Sequence, residues 1–268
     1  MCYCAPMNLG FWDVPIVFGA AFIAGMINSI AGGGTLISFP ALVWIGIDPI
    51  RANATNTVAL WPGSVAGMVG LRREIGDGRR LMLLLGAPSI VGSLLGALLL
   101  LRTPNHTFAF IVPFLILFAT LLFAAQESLQ KRLSLGAVEG DRPTLKWQLG
   151  ASAFQFGVAV YGGYFGAGIG ILMLAALGLL GLTDIHQMNG LKNFFAAVIN
   201  GVAAVYFVWS NALSWPHALV MAIGAIAGGF GGAGLGRRLG RRTVRRLVIL
   251  VGVAMALSLL IRYFGLLR

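Results

Sequence analysis

Residues 14–47, VPIVFGAAFIAGMINSIAGGGTLISFPALVWIGI, and residues 148–182, QLGASAFQFGVAVYGGYFGAGIGILMLAALGLLGL, decide how this chain folds. Both are apolar and far longer than the ~20 residues one bilayer crossing takes. Glycine interrupts each of them, at Gly32-Gly33-Gly34 and at Gly166-Ala167-Gly168-Ile169-Gly170. Taken alone, either stretch reads as one broken crossing or as a hairpin.

Composition names the solvent. Apolar residues make up 58% of the chain and charged residues 10%, with a mean hydropathy of +0.89. A water-soluble fold has too little polar surface here to cover itself. In hydrocarbon a backbone amide finds no water, so helices are required, and the period-two alternation of strands is absent. The expectation is an all-α, polytopic protein of the inner membrane. Further apolar runs of helix length lie at 52–71, 81–101, 107–124, 186–207, 217–236 and 243–264. Met1 to Asp13 carries no Lys or Arg, hence no basic region of a cleaved signal peptide, and the first segment is expected to be retained. Cys2 and Cys4 are too few to staple a fold or close a metal site, so they read as inert, with no metal and no cofactor expected.

Charge then counts the crossings, because Lys and Arg of short loops stay cytoplasmic. They gather in three loops: Arg72, Arg73, Arg79 and Arg80; Lys131, Arg132, Arg142 and Lys146; and Arg237, Arg238, Arg241, Arg242, Arg245 and Arg246. This placement explains the net charge of +11 as topology. Without one aromatic-studded basic face, no nucleic acid is implied. The second and third loops share a side only if 148–182 crosses an even number of times, as a hairpin. By the same fold 14–47 is a hairpin, entering from outside where the second enters from the cytoplasm. Each half becomes one broken-helix hairpin plus three transmembrane helices, an odd number of crossings, so the second copy lies upside down. The expected organisation is a tail (1–13), a first inverted repeat (14–124), a cytoplasmic linker (125–147) and a second inverted repeat (148–268). Moving the second half back 136 positions aligns Gly168 and Gly170 with Gly32 and Gly34, Asp184 with Asp48, Asn189 with Asn53, and Gly228 and Gly232 with Gly92 and Gly96. Besides lipid, the partner expected is a small anionic solute, and a homodimer is left open.

The arms 35–47 and 171–182 are only roughly 20 Å long as helix, so their glycine tips stop inside a hydrocarbon layer of about 30 Å. Opposed broken segments mark the binding site of inverted-repeat carriers. A helix starting at each tip points free amides and its positive dipole end into the gap, which suits an anion. Gly33, Gly34, Gly168 and Gly170 let a ligand approach the backbone, and Thr35 and Ser38 add hydroxyl donors. The plainer alternative is that these glycines only turn the chain.

The helix after each hairpin carries a polar stripe: Asn53, Thr57 and Ser64 on the first, Asn189, Asn193 and Asn200 on the second. Between them stand Asn56 and its counterpart Lys192, a charge about two turns inside its span. The asparagines serve either ligand or neighbouring helices. Lys192 either contacts the anion, the preferred reading, or snorkels to the cytoplasmic surface. Asp48 and Asp184 read as helix caps. His186 reads as an interfacial residue, with proton relay as the minor option. Gly92 with Gly96, and Gly224, Gly228, Gly232 and Gly236, read as close helix contacts. Trp44, Trp61, Trp209 and Trp215 read as interfacial anchors, Trp61 being deep enough to touch a pathway.

Gly32-Gly33-Gly34-Thr35, Phe39-Pro40, Gly46-Ile47-Asp48-Pro49, Ala52 and Thr55-Asn56 resemble the first repeat of the TauE/SafE sulfite-exporter family. Gly162-Gly163-Tyr164-Phe165-Gly166-Ala167-Gly168, Leu180-Gly181-Leu182 and Leu191-Lys192-Asn193 are similar to its second repeat. The resemblance covers nearly the whole chain. It implies a multi-pass carrier that exports sulfite or a small sulfonate such as sulfoacetate. The second apex departs from the pattern, Gly168-Ile169-Gly170 standing where a fuller glycine run is expected. No enzyme is expected, because no paired acids, His–acid set or nucleophile faces the membrane surface. The remaining alternatives are an anion channel and a cation-coupled carrier of another solute.

Overall fold

Glycine and proline set the helix ends where the apolar pattern alone would have run on. The structure, a computed structural model, describes residues 10–30, 33–75, 78–135, 145–180, 182, 184–239, 241–263 and 265. Cys2, Cys4, Gly32, Gly181, the middle of the linker with Arg142, and the side chains of Lys131, Arg132, Lys146, Gln126 to Leu135, and residues 231–242 lie outside the described residues. Among the described residues there are ten α-helices and no strand. Asp13–Ile30 (α1) and Thr35–Trp44 (α2) form the first hairpin, followed by Pro49–Gly70 (α3), Arg79–Arg102 (α4) and Asn105–Leu135 (α5). Leu145–Tyr164 (α6) and Ile169–Leu179 (α7) form the second, followed by Ile185–Trp209 (α8), Trp215–Leu239 (α9) and Arg241–Tyr263 (α10).

Both long stretches are hairpins, each with a full first arm and a short second arm of 10 and 11 residues. Asp48 and Asp184 cap the helices that follow, accepting from the amides of Ile50 at 3.0 Å and His186 at 2.9 Å. One element exceeds its expected length. No glycine or proline occurs between Pro113 and Gly136, so α5 continues to Leu135, and the linker expected over 125–147 is helical at both ends.

The packing is reciprocal. α1 lies on α9 and α6 on α4; α3 lies on α8 and α5 on α10; α2 touches α10 as α7 touches α5. Pro49 and Ile185, Arg79 and Trp215, and Asn105 and Arg241 open the matched helices, each pair 136 residues apart. At the centre, the Trp61 indole donates to the carbonyl of Ala197, its own counterpart, at 3.0 Å. Glycine permits the two tightest crossings. A Cβ on Gly96 would collide with the carbonyl of Val160, and one on Gly228 with that of Phe22. Gly92 and Gly224 similarly face the carbonyls of Phe156 and Phe18.

Polarity is turned inside out. Ser38, Asn53, Asn56, Ser89, Ser93 and Gln155 are buried, whereas Leu83, Val91, Leu121, Phe230 and Leu250 are exposed. Exposed apolar surface on this scale is a lipid-facing coat. By length and composition, Arg79–Arg102, Asn105–Ala125 and His186–Trp209 suffice to cross a membrane, and Asp13–Asn28, Thr35–Trp44, Ile169–Gly178 and Trp215–Phe230 are shorter apolar helices. α3 is not in either group because its polar stripe dilutes its apolar residues.

Candidate functional site

The first apex is tied down by its own side chains. Gly33 turns through a left-handed conformation at φ +90°, bringing the amide of Gly34 to 2.7 Å from the Asn28 side-chain oxygen. One turn into α2, the Ser38 hydroxyl donates to the Asn56 side-chain oxygen at 2.5 Å, both residues being buried. Asn53 donates through Nδ2 to the carbonyl of Tyr164 at 3.0 Å, so the first half's stripe also grips the tip of the second hairpin. Its Oδ1 is buried with no partner among the described residues. Thr57 donates back to the carbonyl of Asn53 at 2.9 Å. This half of the stripe is therefore largely occupied by bonds within the protein, Asn53 and Asn56 reaching neighbouring segments and Thr57 its own helix.

The second apex is built differently. Gly166 and Gly168 both take left-handed conformations, and no side chain caps the start of α7. The counterpart of Asn28 is Tyr164, whose hydroxyl lies 3.3 Å from that of Thr103 instead. The aliphatic stem of Lys192 covers Gly170, where an added Cβ would sit 3.2 Å from the lysine Cδ. The Lys192 ammonium donates to the Asn189 side-chain oxygen at 3.2 Å and is only partly buried. Glycine at position 170 is what leaves room for that stem.

Between the apices lies a cavity of about 550 Å³. Of the residues expected at the site, Gly33, Thr35, Gly168, Gly170, Lys192 and Asn193 line it. Gly34, Ser38, Asn53, Asn56, Thr57 and Asn189 stand behind its wall or in the bonds just described. Asn200 and Ser64, the outer members of the two stripes, are on the wall, and so is Asn28, which sequence reasoning missed. The signal for Asn28 was a polar residue four positions before the glycines, but only the turned-back chain gives it a target. The cavity runs along the C-terminal half of α3, past Pro62 and Gly67, to Gly70 and Leu71. Pro62 has no amide hydrogen, which leaves the carbonyl of Val58 without its helical donor.

Among the described residues on this wall Lys192 is the one charged side chain, and no Asp, Glu, His or Cys joins it. Ammonium, amide and hydroxyl donors converging on one space equip the cavity to bind a hydrogen-bond-accepting solute. His186 lies apart, exposed, with its ring 3.8 Å from the Glu74 carboxylate.

Comparison with known proteins agrees with this architecture. The family described as "Sulfite exporter TauE/SafE" matches residues 17–259. A probable membrane transporter protein of Haemophilus influenzae is 32% identical over 231 residues, covering 83% of this chain and 84% of its own. The probable membrane transporter protein YfcA of Escherichia coli strain K12 is 28% identical over 96% of this chain and 91% of its own. The probable membrane transporter protein ORF9 of a Sinorhizobium species is 27% identical over 94% of both. No solved structure matches at a significant level. With a family match across nearly its full length, an all-helical fold and an apolar outer coat, this chain belongs to the TauE/SafE family of multi-pass membrane transporters.

Proposed function

We propose that the chain is a secondary carrier of the inner membrane that exports a small organic or sulfur-containing anion, sulfite or a sulfonate such as sulfoacetate being the types considered. The observation that carries this reading is the cavity joining both glycine apices, with Lys192 as its one described charge. A partly buried ammonium beside an uncapped helix start attracts an anion through both its full charge and the dipole end.

In this reading the halves 14–124 and 148–268 are inverted repeats, and the mouth at Gly70 and Leu71 faces the cytoplasm because Arg72 and Arg73 follow it. Cargo would then load from inside, as export requires. Exchanging the roles of the two halves closes that mouth and opens its counterpart. The C-terminal half of α8, where Ala203 and Phe207 are now fully buried, would part from α4 at Ser93. Single cysteines at 67 and 203, in a chain whose Cys2 and Cys4 are serine, test this. A membrane-impermeant thiol reagent should reach position 67 only from the cytoplasm and position 203 only from outside. Labelling of both from one side would end the inverted arrangement.

The transport assignment is tested by counterflow in proteoliposomes. Saturable exchange stimulated by anion on the opposite side, and lost in Lys192→Gln, is the expected result. Flux without exchange at near-diffusive rates would make the protein a channel. One observation favours cation coupling as a second reading: the buried, unpartnered Oδ1 of Asn53 is an acceptor that a sodium ion or a proton donor would satisfy. Counterflow that depends on a sodium or proton gradient and loses that dependence in Asn53→Leu would support it.

A further inference from the structure

The wall of the cavity carries information on its cargo that the family match does not. Its polar side chains come from both halves, Asn28, Thr35 and Ser64 from the first and Lys192, Asn193 and Asn200 from the second, but among the described residues Lys192 alone brings a charge. The rest is apolar, including Leu60, Phe123, Ile171, Ala196 and Ile226. The counterpart of Lys192 is Asn56, held by Ser38 behind the wall, so the first half adds no second cation.

Two quantities follow. A second negative charge on the cargo would enter a low-dielectric space with no second positive side chain to meet it among the described residues, and such a charge is strongly disfavoured. In size, an inorganic oxyanion takes up roughly 100 Å³, a few times the ~30 Å³ share of one water. That is a small part of the 550 Å³ available and leaves the apolar wall facing water. Cavities of a few hundred Å³ with apolar walls and a few convergent polar groups hold organic molecules.

We infer that the cargo is a monovalent organic anion, one acidic head neutralised by Lys192 and an uncharged, largely apolar body lying against Leu60, Phe123 and Ile226. This rests on the anion-carrier reading and narrows it to one charge class, favouring organic sulfonates or carboxylates over sulfite, sulfate and divalent sulfoacetate.

The test uses the full-length purified protein and a graded set of anions: methanesulfonate, butanesulfonate and benzenesulfonate, against sulfoacetate, sulfate and sulfite. Thermal protection of the native state and competition in counterflow are both read. Half-protecting concentrations should fall at least tenfold from methanesulfonate to benzenesulfonate, and butanesulfonate should outcompete sulfoacetate at least tenfold. Asn193→Lys, which places a second cation beside the first, should bring sulfoacetate to within threefold of butanesulfonate. If sulfate or sulfoacetate protects as well as benzenesulfonate, the monovalent assignment is overturned, and if sulfite does, the organic one is, while the anion site stands in either case. If none of the anions protects or competes, the anion-carrier reading falls and the inference falls with it.

Discussion

The two apices share a plan and differ in what they do with it. At the first, Asn28 caps Gly34 and Ser38 holds Asn56, so polar side chains fasten hairpin to helix. At the second, Tyr164, Leu174 and Lys192 stand at the places of Asn28, Ser38 and Asn56; the Tyr161 hydroxyl donates to the carbonyl of Ala167 at 2.7 Å, and the lysine stem covers Gly170. The charge thus stands at one apex and not at the other. Under the inverted-repeat reading proposed above, a binding site between the halves needs only one of them to carry the specific group.

The strongest challenge to this comparison lies at the crossings the halves share. Gly96→Val and Gly228→Val each drive a side chain into a backbone carbonyl, and each should cost about 3 kcal/mol or more. Loss of the monodisperse protein on size-exclusion chromatography is expected for both, and tolerance of either would show that the two crossings are not equivalent. Next in size is Lys192→Gln, expected to lower anion counterflow about 100-fold, the scale of removing one partner of a desolvated charge contact. The double variant Asn56→Lys with Lys192→Asn should fail to restore it, since position 56 lies behind Ser38; recovery would show that either half can host the charge.

Smaller again is Ser38→Ala. It leaves the Asn56 oxygen buried without its donor and should cost about 1–3 kcal/mol, seen as a lowered Tm, with transport affinity little changed. Leu174→Ala at the matching place removes packing alone, so its affinity should be equally unmoved. Smallest are the caps. Asp48→Ala and Asp184→Ala should each lower stability by about 1 kcal/mol, and by the same amount, because both accept from the amide two residues on. A large inequality would mean that one of them has a further task.

Much of this design is legible without coordinates, for physical reasons. Hydropathy fixes the solvent, glycine in a run too long for one crossing leaves a broken crossing or a hairpin between which the basic loops choose, and Asp48 and Asp184 announce the helices they cap. Lys192 is conspicuous because an ammonium among apolar residues has few acceptable places to go. What the sequence hides is partnership. A helical stripe identifies a face but not its neighbour, so Asn53, Asn56 and Thr57 read like Asn193 and Asn200, although Asn53 and Asn56 bond to neighbouring segments, Thr57 bonds back to its own helix, and the latter two line the cavity. Asn28 is invisible for a similar reason, its target being created by the turn that follows it. Periodicity also underestimates α5, since the apolar run ends near Ala124 while helix propensity does not.

The bond from Trp61 to Ala197 has a mechanical meaning. In the proposed inverted-repeat carrier, a residue joined to its own counterpart would sit where rotation of one half against the other produces the least displacement, and the indole would serve as a fulcrum. Helix ends some 15 Å away on either side, ten residues at 1.5 Å each, act as lever arms. A small tilt at the tryptophan would thereby be magnified into the opening or shutting of a vestibule.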